Sequence, residues 1–261
     1  MNSLGTTHAT GLELVDAHCH IDLFPDPKSI VEESEHRKIH TIAVTNAPSV
    51  FFHTRDLCRG LIYVHAAVGL HPELAVSQGH ELYQMWKHLD ETRFVGEVGL
   101  DYTTADTGVR QRQRDVFSAI LARCAECGSK IVTVHSRRSA TDTLAMIGNA
   151  FPGTIIMHWF SGTTRELEHA AMAGCWFSVN AAMVNSRSGQ TLISAIPRDR
   201  LITETDGPFL KNGGQGAQPK DVITAIRGLS SLWRSSEQET AKFVVDNFRN
   251  LITASDQLQG D

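Results

Sequence analysis

Six residues of the kinds that bind divalent cations fall at the ends of short, β-rich apolar runs. They are His18 and His20 in VDAHCH, Glu97 in VGEVGLD, His135 in IVTVHS, His158 in IIMHWF and Asp206 in LITETD. Chemistry carried at the ends of several different strands is a property of (β/α)8 barrels, whose active sites gather at the C-terminal face of the strands. The pattern therefore constrains the architecture and points to metal-assisted hydrolysis.

The rest of the chain alternates in the same sense. Strand signals are read at 13–18, 40–44, 61–69, 94–98, 130–135, 154–158, 175–179 and 200–205. Helical spacing is read between them at 29–38, 50–58, 81–91, 109–126, 141–150, 163–173, 189–196 and 220–233, with a last helix at 237–251. Pro152, Gly153, Gly174 and Pro197 mark breaks. Alternating strands and helices give a parallel α/β fold, and eight such units select the TIM barrel over a doubly wound sheet. With 261 residues, 41% of them hydrophobic, the chain can bury a full core. We expect one domain over 1–261.

A formal net charge of −5 excludes a sequence-independent nucleic-acid coat, which needs a basic surface. It does not exclude a nuclease, because bound cations supply local positive charge. The five cysteines show no disulfide-framework spacing. Cys124 and Cys127 form a CxxC inside a helical segment, where small apolar residues one turn apart are the expected reading. Residues 1–12 lack a basic segment followed by an apolar core, so no leader is expected, and no apolar run approaches the ~20 residues of a membrane span. A cytoplasmic protein is the expectation.

His18 and His20 are two apart on a strand, so both imidazoles are expected at the barrel mouth with Cys19 turned away. Asp16 is either an orienting partner for an imidazole or a structural cap. Glu97 lies in an otherwise apolar strand, where an ionised carboxylate is costly unless paired or bound to a cation, and its two oxygens suit it to bridge two cations. His135 and His158 each end an apolar strand. Asp206 is expected to ligate one metal and accept a proton from water, whereas Glu204 lies deeper and reads as an orienting or core-polar group. Imidazole and carboxylate without thiolate fit Zn²⁺, Mn²⁺ or Mg²⁺ at a catalytic site.

The series DAHCHID, GLHPE, VGEVGLD, VHSR, HWFSG and ETDGPF resembles the TatD family of metal-dependent nucleases, and the match runs from Asp16 to the C-terminal DNFRNL. The resemblance implies an amidohydrolase-type barrel with two divalent ions held by His18, His20, Glu97, His135, His158 and Asp206. It implies a nuclease that cuts phosphodiester bonds at DNA strand ends, with RNA as the alternative substrate and Asp206 and Glu97 as the catalytic carboxylates. Two further matches, His71 in GLHPE and Arg137 in VHSR, are expected on the substrate side, against a phosphate. Trp159 and Phe160 offer a stacking face, although packing at the strand end is the expected role for both. After ETDGPF the chain departs from the family's basic loop and reads as a flexible Gly/Gln loop over 211–219. That segment also resembles the TatD-like component of Qat anti-phage defence systems, which would make other components of such a system its partners. Arg110, Arg112 and Arg114 form a basic helix entry, read equally as a solvated face.

Two other readings stand beside this one. The same barrel hosts C–N hydrolases such as amidases and deaminases, and a vestigial site would leave an interaction subunit. Metal-dependent release of mononucleotides separates the first from a nuclease, and an empty metal site would mark the second.

Overall fold

The computed structural model describes residues 11–257. The segment read for a leader, 1–12, therefore lies outside the described residues except for its last two. Among the described residues eight parallel strands alternate with helices: β1 Leu14–Cys19, β2 Ile39–Val44, β3 Val64–Ala67, β4 Phe94–Gly99, β5 Ile131–His135, β6 Thr154–His158, β7 Trp176–Val179 and β8 Leu201–Thr203. The helices are α1 Pro27–His36, α2 Pro48–Cys58, α3 Leu82–His88, α4 Thr107–Cys127, α5 Ala140–Ile147, α6 Thr164–Met172, α7 Ala181–Val184, α8 Arg187–Ala195, α9 Ile223–Trp233 and α10 Glu237–Gln257.

Parallel ladders run β1-β2-β3 and β4-β5-β6-β7-β8. Two seams close them into a TIM-type barrel. Val68 bridges to Val95 at one, and Cys19 bridges to Gly207 at the other. The second seam is tied by His20 N–H to Gly207 O at 2.7 Å and by Asp206 N–H to His18 O at 2.9 Å. Asp16 belongs to this seam. Its carboxylate accepts from the backbone N–H and the hydroxyl of Thr205 and from His18 N–H, so it joins β1 to the segment after β8, and among the described residues it is hydrogen-bonded to no imidazole.

Strand faces bury β-branched and apolar side chains against helices whose apolar residues repeat at helical spacing. On α4 these are Val116, Phe117, Ile120, Leu121 and Cys124. The helix starts where Asp106 caps the N–H groups of Gly108 and Val109 and stops at Gly128, whose φ of +64° suits a residue without Cβ. Cys124 and Cys127 lie within this helix, and burial pushes the Cys124 thiol up to about 12.

Three expectations are corrected. Strand β3 covers 64–67 rather than 61–69, because Ile62 points to solvent and ends the buried run. Helix α7, between β7 and α8, was not expected. Four residues are too short to show a period, and the turn is fixed by the Asn180 side chain accepting from Ala182 and Met183 N–H. The 211–219 loop is not shapeless. Two-residue strands β9 Lys211–Asn212 and β10 Gln215–Gly216 pair antiparallel around Gly213 and Gly214, both at positive φ, as a tight hairpin turn requires. Arg110, Arg112 and Arg114, read as a basic helix entry or a solvated face, are each tethered as well as partly solvated. Arg110 lies over the Tyr102 ring and donates to Thr104 O, Arg112 donates to Ala75 O, and Arg114 pairs with Asp142. Among the described residues no helix is long and apolar enough to cross a membrane.

Candidate metal centre

All six expected residues meet at the C-terminal mouth of the barrel. His18 is in β1 and His20 just beyond it; His135 and His158 are the last residues of β5 and β6. Asp206 follows β8 by three residues in the left-handed region, with φ of +51°. Glu97 lies inside β4.

Two bulges aim these side chains. Between Asp16 and Cys19 strand β1 advances three residues while β2 advances two, and between Val95 and Val98 strand β4 does the same against β5. An extra residue in one strand breaks the alternation and re-aims the side chains beyond it. His18 and Glu97 sit in those two bulges.

The donor atoms converge. Glu97 Oε2 stands 3.5 Å from His18 Nε2, 3.3 Å from His20 Nε2 and 3.6 Å from His71 Nε2. Its other oxygen, Oε1, stands 2.6 Å from His135 Nδ1 and 3.8 Å from His158 Nε2. Asp206 Oδ1 faces His20, His18 and His158 Nε2 at 3.6, 3.9 and 3.9 Å. The rings of His18 and His158 stack at 3.6 Å. Ligand atoms about 2.0–2.2 Å from a tetrahedral ion stand roughly 3.4 Å apart, which matches the spacing of Glu97 Oε2 and Asp206 Oδ1 from His18 and His20, whereas His135 Nδ1 is at hydrogen-bond distance from Oε1.

Buried Nε2 atoms of His18 and His20 have no hydrogen-bond partner among the described residues. Orphaned polar atoms in a buried cluster are costly, and a divalent ion among these lone pairs and carboxylates satisfies them. The residues present fit such an ion.

A further layer orients the rings. Thr133 Oγ1 lies 2.9 Å from His18 Nδ1, and Glu204 Oε2 lies 2.7 Å from His158 Nδ1, so each ring turns its Nε2 toward the cluster. Glu204 is itself held by Ser178 and by Asn180 at 3.0 Å. Asp101, last residue of VGEVGLD, was missed by sequence reasoning. Its Oδ2 lies 2.8 Å from His135 Nε2, so His135 spans two carboxylates. Thr133 was missed as well, and nothing in the apolar run IVTVHS singles it out.

Electrostatics follow from these contacts. Burial pushes the Glu97 carboxyl up, but the imidazoles of His71, His135 and His18 together outweigh it and hold the group well below the usual carboxylate range. Burial likewise opposes ionisation of Asp206, and His20 and His158 overcome it. Burial and the neighbouring His158 push His18 down to about 3. Burial also acts against charge on His20 and His135, but adjoining carboxylates raise them to about 9 and about 10. Burial pushes Asp16 up to about 8.

A cavity of about 460 Å³ opens over Glu97 and Asp206. His71 lies in the loop after β3, not on the strand, and lines it; exposed Arg137 lines it from the segment after β5. Trp159 is half-buried, packed against the core as expected, and also borders the cavity, with φ of +37°; Phe160 is buried as expected. Lys211 does not line this cavity but a smaller one behind Glu204. A larger cavity of about 740 Å³ lies at the opposite end of the barrel, around His65 and Phe94, and contains none of the six residues.

Known proteins resemble this chain along most of its length. The chain is 24% identical to the metal-dependent hydrolase YabD of Bacillus subtilis over 92% of this chain and 98% of that protein. It is 28% identical to the 3'-5' ssDNA/RNA exonuclease TatD of Enterobacter lignolyticus over 70% of this chain and 75% of that one. The crystal structure of YJJV, a TatD homologue from Escherichia coli, superimposes with a TM-score of 0.80 at 24% identity, covering 91% of this chain and 97% of its own. The model of the TatD related DNase family matches residues 15–253, nearly the whole barrel, and the chain belongs to that family of metal-dependent hydrolases.

Proposed function

We propose that the chain is a divalent-metal-dependent nuclease that hydrolyses phosphodiester bonds of DNA, working inward from single-stranded ends, with RNA as the alternative polymer. The observation that carries this reading is the division of labour at Glu97, whose two oxygens face separate sets of imidazoles. In this reading the centre is binuclear. His18, His20 and Asp206 would hold one Mg²⁺, Mn²⁺ or Zn²⁺, His135 and His158 would hold the other, and Glu97 would be shared between them. Such ions neutralise charge on a phosphoryl oxygen and make water more acidic.

The protein's own groups do the rest. Asp206 accepts the proton of the attacking water, a role open to it because its carboxyl is held ionised. Thr133 and Glu204 fix the rings of His18 and His158. Arg137 offers its planar fork to a phosphate at the cavity rim, and His71 meets the phosphate deeper, beside Glu97. A relative named as a single-strand exonuclease supports cleavage at ends.

The test is incubation with end-labelled single-stranded and duplex DNA in Mg²⁺, Mn²⁺ and Zn²⁺, with product sizes read on a gel. Stepwise release of mononucleotides from single strands is the expected result. Turnover of a cyclic amide with no cleavage of nucleic acid under any of the three metals would replace this reading with a C–N hydrolase.

A further inference from the structure

We infer that Phe209 is a stacking platform for the base of the nucleotide being removed, with Trp159 as the opposing wall; the inference rests on the nuclease reading above. Phe209 lies three residues after Asp206 and is 56% exposed, yet it lines the same cavity of about 460 Å³ as Glu97, Asp206 and Arg137. A lone exposed phenylalanine carries no meaning by itself. This one is placed by the site. Its N–H donates to Asp206 O at 2.9 Å, and its ring meets His20 edge-to-face at 4.9 Å.

From there aromatic rings cross the floor of the mouth without a gap. His20 meets His18 at 5.1 Å, His18 stacks on His158 at 3.6 Å, and His158 meets Trp159 at 6.4 Å. The imidazoles in the middle of this arc are engaged by the carboxylates. The two rings at its ends are not, and both border the cavity. Trp159 holds a left-handed backbone conformation that non-glycine residues seldom adopt, a form of strain that clusters at ligand sites. Phe160 takes no part, being buried against Phe177.

The cavity is within the ~300–1,000 Å³ range of small-ligand sites, so it admits a terminal nucleotide and not a passing duplex. With one exposed guanidinium for the phosphate and aromatic rings at both ends, it grips the base by its face. Every base has such a face, so binding tolerates sequence. Purines, with the larger face, are expected to be removed with the lower KM, and the end must be unpaired to reach the ring.

The test uses the metal-loaded protein and single-stranded DNA with 2-aminopurine at either terminal position, its last linkage a methylphosphonate. Cleavage is measured in parallel on diester strands ending in a normal or an abasic nucleotide. Stacking predicts quenched 2-aminopurine fluorescence at the end that is cut. It also predicts a roughly tenfold advantage in kcat/KM for the base-bearing end, mostly in KM. Phe209→Leu keeps an apolar contact to His20 but lacks the ring, so quenching and the advantage should both fall away; Phe209→Trp should restore them. Equal cleavage of normal and abasic ends by the wild type would overturn the inference and leave the nuclease reading intact. Full quenching in Phe209→Leu would also overturn it, as would loss of metal from that variant, which would make the ring a prop for His20. Release of no nucleotide from any strand would remove the nuclease reading, and the inference with it.

Discussion

A Cβ placed on Gly96 would lie 2.0 Å from Cγ2 of Thr133, whose hydroxyl stands 2.9 Å from Nδ1 of His18. The glycine also has a φ of +153°, within the region that side chains disfavour. It lets β4 bulge close to β5, which brings Glu97 to the barrel axis and leaves Thr133 free to hold His18. Gly96→Ala should therefore destabilise the fold by about 1–3 kcal/mol and lower metal content as well. Urea unfolding and elemental analysis check both. A variant with wild-type stability and full metal occupancy would show that the bulge does not depend on this glycine.

Glu204 is buried, 2.7 Å from His158 Nδ1, and has no solvent to compensate for a lost partner. Glu204→Gln keeps the size but offers one acceptor oxygen where the carboxylate offers two, so it cannot hold Ser178, Asn180 and the imidazole together and its grip on His158 weakens. Removal of such an orienting carboxylate typically costs about 10–100-fold in metal affinity or activity. Competition with a chelator should show a loss of that order while circular dichroism stays unchanged. Unaltered affinity would reassign Glu204 to core packing.

The barrel and the six cation-binding residue types were legible because both depend on repetition. Eight apolar runs alternate with helical spacing, and four of them end in His18, His135, His158 or the segment before Asp206. What the chain does not display is where alternation fails. The bulges at His18 and Glu97 add one residue each, which no period reveals, so the strand holding Glu97 was legible but the direction of its side chain was not. Asp101 and Thr133 act by reaching across to another strand, and the identity of a partner 34 or 115 positions away is not written locally. Phe209 escaped for the opposite reason: in ETDGPF it reads as an apolar residue after a turn, and only its exposure beside His20 distinguishes it.

Away from the mouth, burial and the nearby His40 lower the pKa of His65, which is stacked against Phe94. Its ordinary value, retained in the unfolded chain, is about 6.5. As pH falls below that value the unfolded state takes up the proton first, so stability present above about pH 6.5 is lost on acidification through the lower folded-state value. His65→Gln removes this contribution. Urea midpoints measured from pH 8 to pH 5 should therefore fall more steeply for the wild type than for the variant. Parallel curves would mean that His65 titrates alike in both states.

Asp206 tests the division between holding metal and moving protons. It sits in the left-handed region, where asparagine is among the best-tolerated residues, so Asp206→Asn suits the backbone. Its N–H remains tied to His18 O across the barrel seam. The amide keeps one oxygen facing His18, His20 and His158 but has no negative charge and cannot accept a proton at neutral pH. If Asp206 is the general base, the variant retains metal by elemental analysis while single-turnover cleavage slows by about 10²–10⁴-fold, the usual cost of losing such a group. A variant that both loses metal and stops cutting would show the carboxylate to be needed first for the cage. Near-normal cleavage by a metal-loaded Asp206→Asn protein would refute the role. It would move the proton to Glu97, the other carboxylate in reach of the same imidazoles, or to an oxygen of the substrate phosphate itself.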